Sequence, residues 1–130
     1  FWSYQLAVVV DDAAQEITHV VRGIDLIDST VRQYLLQQAL SLKVPQYSHI
    51  PVAVEQNGQK LSKQNLALPL SGEHISETLW QALHWLRQSP PRALLGAPAS
   101  ELLHWAVRHW NTEPLKGQTS MPAPGPFQRT

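Results

Sequence analysis

Cysteine is absent from the 130 residues, which excludes disulfides and thiolate chemistry and fits a reducing compartment without requiring one. Net charge is absent too: ten Lys and Arg balance ten Asp and Glu. No overall positive field therefore draws in nucleic acid, and any RNA contact has to use local patches. No apolar run nears the roughly 20 residues of a membrane-spanning helix, and no basic-then-apolar leader opens the chain. The expectation is a soluble, intracellular protein in the cytoplasm. The six glycines are scattered, so no glycine-rich phosphate loop forms, and no G-x-S-x-G elbow presents a serine. Histidines number six, but His104 and His109 stand five apart and do not share a helix face. His84 has no histidine or carboxylate three or four residues away. No metal site is expected.

What is present is enough apolar sequence, 43%, for one modest domain with a core. Leu6 to Val10 is a continuous aliphatic run ended by Asp11-Asp12, which predicts a strand buried on both faces. The two aspartates then point to opposite faces where that strand ends. Ile17 to Val21 predicts a second strand, ended by Arg22-Gly23-Ile24-Asp25. Asp28, Ser29 and Thr30 offer N-caps for a helix along which Val31, Leu35, Ala39 and Leu42 recur at helical spacing. Ile50 to Val54 reads as a third strand, with Pro51 placing it at an edge or making Pro51 its start, and Asn57-Gly58 as a turn. Strand, helix, strand in this order predicts α/β. Beyond Pro69 the pattern turns helical. Ile75, Leu79, Ala82, Leu83 and Leu86 mark one amphipathic helix; Pro98 opens another in which Leu103, Ala106, Val107 and Trp110 share a face. The expected organisation is a catalytic-core-like segment over 1–69, a helical region over 70–110, and a loose Pro/Gly-rich tail over 111–130.

Two short stretches carry chemistry. Arg22 can grip a carboxylate with two parallel hydrogen bonds, Gly23 allows close backbone approach, and Asp25 can accept from ribose hydroxyls. An ion pair closing a tight turn fits the same residues equally well. Lys60-Leu61-Ser62-Lys63-Gln64 sets two lysines around a hydroxyl, suited to phosphates whose charge moves during a reaction. Taken by itself this stretch reads as a solvated turn. Trp80, Trp85, Trp105 and Trp110 could stack on bases, but at helical spacing packing between helices is the better reading.

Context decides the second stretch. "YQLAVVVDD", "ITHVVRGIDLIDSTVRQ", "VPQYSHIPVAV" and "GQKLSKQN" follow one another at close intervals. Together they resemble the second half of the catalytic domain of class I glutamyl-tRNA synthetases, whose signature loop reads Lys-Leu/Met-Ser-Lys. Among these the shortened glutamyl-Q tRNA(Asp) synthetases are most similar. The resemblance covers roughly the first half of the chain and implies a Rossmann-like core followed by a small, stem-contact-like helical region. It implies glutamate contacts from Tyr4 and Arg22, and ATP contacts from Lys63, with Lys60 and Ser62 supporting. Val52 and Ala53 would lie against adenine, with Gly23 and Asp25 on the nucleotide side.

The implied reaction activates glutamate with ATP and Mg2+ and transfers it to the queuosine base in the anticodon of tRNA(Asp). An ordinary glutamyl-tRNA synthetase charging tRNA(Glu) carries a long anticodon-binding region after its core. Only some 65 residues follow Lys63 here, too few for that region, so the shortened enzyme is the better match. A fragment of the ordinary enzyme and a non-catalytic RNA-binding module are the alternatives. The family's His-x-Gly-His motif is missing from these residues. The chain is therefore expected to start inside a domain. Its partner would be an amino-terminal half that also carries any zinc, the isolated piece being inactive and the complete enzyme a monomer.

Overall fold

The computed structural model describes residues 2–55, 57–61 and 72–124. Their order is α1 (Trp2–Ala14), β1 (His19–Gly23), α2 (Ile27–Ala39), β2 (Gln46–Ile50), β3 (Val52–Val54), α3 (Ile75–Trp85), α4 (Ala99–His109) and β4 (Ser120–Pro122). Short 3-10 turns precede α2 and α3, link α3 to α4, and follow α4. Two compact units divide the chain, Phe1–Val52 and Ala53–Thr130.

In the first unit the Leu6–Val10 run is helix, not the expected strand. Burial explains the difference. Gln5, Val8, Asp12 and Ala13 are half-buried and Val9 is 1% exposed, a stripe at the spacing of one helix face. A valine in a helix costs at most about 0.7 kcal/mol against alanine. Burying Val9 gains roughly 1.5–3 kcal/mol, so packing overrides the β-branched preference. Asp11 and Asp12 consequently sit in the last turns of α1, where their carbonyls accept from Gln15 and Ile17. Glu16 takes a φ of 56°, and the Glu16 and Ile17 N–H groups fold back onto Ala13 and Asp12 to close the helix. Ser41 at φ 55° ends α2 the same way.

β1, α2 and β2 form a parallel crossover, the α/β unit that the strand–helix–strand order predicted. β1 begins and ends two residues later than the sequence pattern suggests, so Arg22 and Gly23 are its last residues. α2 starts at Ile27, ahead of the expected Asp28–Thr30 caps, and continues from a 3-10 turn over Ile24–Leu26. Its interior face is not Val31 and Leu35, which are exposed, but Gln33 and Gln37. β2 lies ahead of the expected Ile50–Val54 strand and shares only Ile50 with it; Pro51, which has no N–H for a ladder, separates β2 from β3.

In the second unit Leu83, Leu102 and Ala106 form a core, with Leu79, Trp80, Leu94 and Trp105 packed against it. Leu102 rather than Leu103 faces this core. Leu103 and Val107, expected on the buried face, are exposed. Residues 111–124, whose prolines suggested a loose tail, are held by donors from the end of α3. Prolines remove backbone donors and leave acceptors. The Trp85 indole donates to the Pro122 carbonyl at 2.7 Å, and Arg87 Nη1 donates to that of Pro114 at 3.2 Å. Gln88 donates to Asn111 O and accepts from Asn111 N, and Met121 and Ala123 are buried.

Candidate functional site

The parallel register sets Arg22 opposite His49, at the carboxyl end of β1, where open α/β sheets place their ligands. The Arg22 guanidinium carbon lies 4.7 Å from the centre of the Tyr47 ring, a cation–π contact from the neighbouring strand. Arg22 Nη2 donates to Gln33 Oε1 at 2.8 Å. Gln33 Nε2 donates to Gln5 Oε1 at 2.7 Å, and Gln5 Nε2 to Ser29 Oγ at 3.2 Å. Gln37 Nε2 donates to the Tyr47 hydroxyl at 2.9 Å. Arg22 Nε is buried and has no hydrogen-bond partner, and no carboxylate pairs with Arg22 among the described residues. A cation held only by neutral groups keeps its charge for an anion. This favours the carboxylate-gripping reading over the structural ion pair.

His49 borders the same network. The Thr30 hydroxyl lies 2.8 Å from His49 Nε2 and 3.2 Å from Leu26 O, within hydrogen-bonding distance of both. Burial, and after it the Arg22 guanidinium, holds the His49 imidazole below its ordinary value. The unfolded chain takes up this proton near pH 6.5 while the fold resists it, so stability rises with pH between the folded and unfolded values. Its contribution is complete above about pH 6.5 and is lost as pH falls through the folded value. An NMR titration is expected to show His49 protonating below the ordinary imidazole range; a midpoint at or above that range would sink this account.

Gly23 has an extended backbone, φ −64°, which any residue adopts. A Cβ there would run into the Asp25 carboxylate and would stand 3.5 Å from the Val52 side chain. Gly23, Asp25 and Val52 are thus contiguous. Tyr4 is exposed on α1, one residue before Gln5. In the second unit, Gly58 at φ 82° turns the chain between Glu55 and Gln59. Lys60 bridges antiparallel to Val54, and Leu61 N donates to Ala53 O at 2.9 Å. One lone pair of the Ala53 carbonyl is therefore taken. Ser62 and Lys63 lie outside the described residues.

The sequence pattern missed Gln5, Gln33, Gln37, Tyr47 and His49. The available signal was the pair Gln33 and Gln37, four apart and so on one helix face. Only the packing shows that face to be the buried one. Among the described residues no three His, Asp or Glu side chains gather to hold a metal. No helix among them is long and apolar enough to cross a membrane.

Residues 2–84 match the family model for the catalytic domain of class I (E and Q) tRNA synthetases. A glutamyl-Q tRNA(Asp) synthetase of Methylococcus capsulatus is 50% identical over 113 residues, 87% of this chain and 37% of the relative. The protein of that name from Aromatoleum aromaticum is 48% identical over 126 residues, 97% of this chain and 40% of the relative. One from a Synechococcus species is 49% identical over 117 residues, 90% of this chain and 39% of the relative. The chain spans about two fifths of the length of these relatives.

Proposed function

From the premise that the chain belongs to the catalytic-domain family of class I (E and Q) tRNA synthetases, we propose that it is the second half of a Rossmann-like core. In this reading it serves glutamate activation by ATP and transfer of the glutamyl group to the queuosine of tRNA(Asp), in the cytoplasm. The name carried by its relatives supports that acceptor. The observation that carries the reading is the Arg22 guanidinium, fixed by the neutral groups of Gln33 and Tyr47 and paired with no carboxylate among the described residues.

Arg22 binds a carboxylate of glutamate and holds the amino acid still while its α-carboxylate oxygen attacks the α-phosphorus of ATP. The new O–P bond forms as the bond to pyrophosphate breaks. Asp25, beside Gly23, accepts from the ribose hydroxyls, and the Val52–Ala53 backbone borders the adenine. Lys60, Ser62 and Lys63 act on the phosphates, following charge that grows toward the leaving pyrophosphate. Tyr4 adds a contact to glutamate. Mg2+ held by the phosphates of ATP would supply charge neutralisation there. Without a His-x-Gly-His motif in these residues, the 130 residues by themselves are expected to be inactive.

The test is glutamate-dependent ATP–pyrophosphate exchange by the full-length gene product, with and without tRNA. Exchange without tRNA is the expected result. Strict dependence on tRNA would move the assignment to an ordinary glutamyl-tRNA synthetase.

A further inference from the structure

We propose that Gln33 is a positioning residue that holds Arg22 through an uncharged oxygen, leaving the charge of the guanidinium for a substrate carboxylate. The inference rests on the reading of Arg22 given above. Gln33 is 2% exposed and lies on the inner face of α2, a position where a leucine would meet the needs of packing. A buried amide left without partners costs about 1–3 kcal/mol, so its presence calls for pairing at both ends. Gln33 has both: Oε1 accepts from Arg22 and Nε2 donates to Gln5.

The direction of the chain of bonds matters. Arg22 donates to Gln33, Gln33 to Gln5, and Gln5 to Ser29, so every amide turns its oxygen toward the cation and its N–H groups away. Each bond polarises the next in the same sense, which stiffens the series and ties Arg22 to α2 and α1. A carboxylate at the Gln33 position would grip Arg22 more tightly still. It would also neutralise the guanidinium from inside the fold, and a second carboxylate would then meet a balanced pair. The glutamine anchors the cation without competing for it. Tyr47 acts in the same way from the other side, offering a ring face to the guanidinium and taking its own hydrogen bond from Gln37.

Two substitutions in the full-length gene product test this by glutamate-dependent pyrophosphate exchange and thermal melting. Gln33→Glu is expected to raise the KM for glutamate by at least about tenfold, the loss of one charged hydrogen bond's worth of binding. It should leave the KM for ATP within about twofold and the melting temperature undiminished, because the new ion pair holds the fold. Gln33→Met, of similar shape, removes the anchor but keeps the free charge. It should lower the melting temperature and raise the glutamate KM by a smaller factor, again without moving that for ATP. An unchanged glutamate KM in either folded variant overturns the proposal. So does a rise in both KM values together, which is what a packing role alone would give. Arg22→Ala serves as the reference. If it leaves the glutamate KM unchanged, the carboxylate reading of Arg22 fails; if it raises that KM while the Gln33 variants do not, only the positioning role fails.

Discussion

Arg22→Ala is expected to raise the KM for glutamate by about a hundredfold in pyrophosphate exchange while barely moving the KM for ATP. Each hydrogen bond from a cation to a carboxylate contributes about 1.5–3 kcal/mol, and a guanidinium can offer two in parallel. The guanidinium is positioned by the bond from Nη2 to Gln33 and by the Tyr47 ring, with no carboxylate paired to it among the described residues. The truncation also leaves Gln33 Oε1 without its donor, so a moderate loss of stability should accompany the loss of affinity. Lys63→Ala should behave in the opposite way. A lysine that follows migrating phosphate charge acts mainly in the transition state, so kcat should fall by about 10²–10³ with the glutamate KM nearly constant. Equal effects of the two substitutions on glutamate affinity would refute this division of labour. Arg22→Lys refines it, since an ammonium keeps the charge but loses the flat fork, and an intermediate KM is the expected outcome.

The sequence pattern foretold an α/β arrangement and a strand leading into Arg22, Gly23 and Asp25, because aliphatic runs and turn residues act locally. It placed the strand after α2 at Ile50–Val54, however, where β2 runs over Gln46–Ile50. What escaped it was decided by burial over a distance. Val8, Val9 and Val10 prefer a strand by local preference, but Val9 closes a stripe with Gln5, Val8, Asp12 and Ala13 that only a helix can present. Val31 and Leu35 look like the inner face of α2 by hydropathy. The inner face is instead Gln33 and Gln37, because Arg22 and Tyr47 beneath them need acceptors and donors more than they need apolar cover. His49 gave no sequence signal, since its surroundings come from α2 and β1 rather than from its neighbours in the chain. The prolines after Trp110 misled for a related reason. Composition counts the donors they remove, whereas Trp85, Arg87 and Gln88 supply donors from elsewhere. A polar site buried between elements is thus the part of the molecule least visible to a reading of local pattern.

The second large effect concerns the fold of the helical unit. Leu102→Ala is expected to cost about 2.7–5 kcal/mol, while Leu103→Ala, its neighbour on α4, should stay within about 0.5 kcal/mol. Leu102 is fully buried, and the side chains around it are rigid or already committed. Trp80 is fixed by the bond from its indole to Pro91 O at 3.1 Å and by stacking on His84 at 5.2 Å between ring centres. Trp105 stacks on His109 at 4.9 Å, and His109 Nδ1 is bonded to Trp105 O at 2.8 Å. Neither ring can easily move inward, so the space vacated by Leu102 stays open and its cavity cost adds to the lost burial. Leu103 is 52% exposed, and its removal opens no cavity. A small domain has only about 5–15 kcal/mol in reserve, so the first substitution should bring the unit near its unfolding threshold. Urea unfolding of the chain, followed by tryptophan fluorescence, measures both variants, since Trp80 and Trp105 report on this core. Equal losses at positions 102 and 103 would mean that α4 turns a different face to the core. They would also undo the attachment of residues 111–124, because Gln88, which holds Asn111, follows from the same packing of α3 on α4.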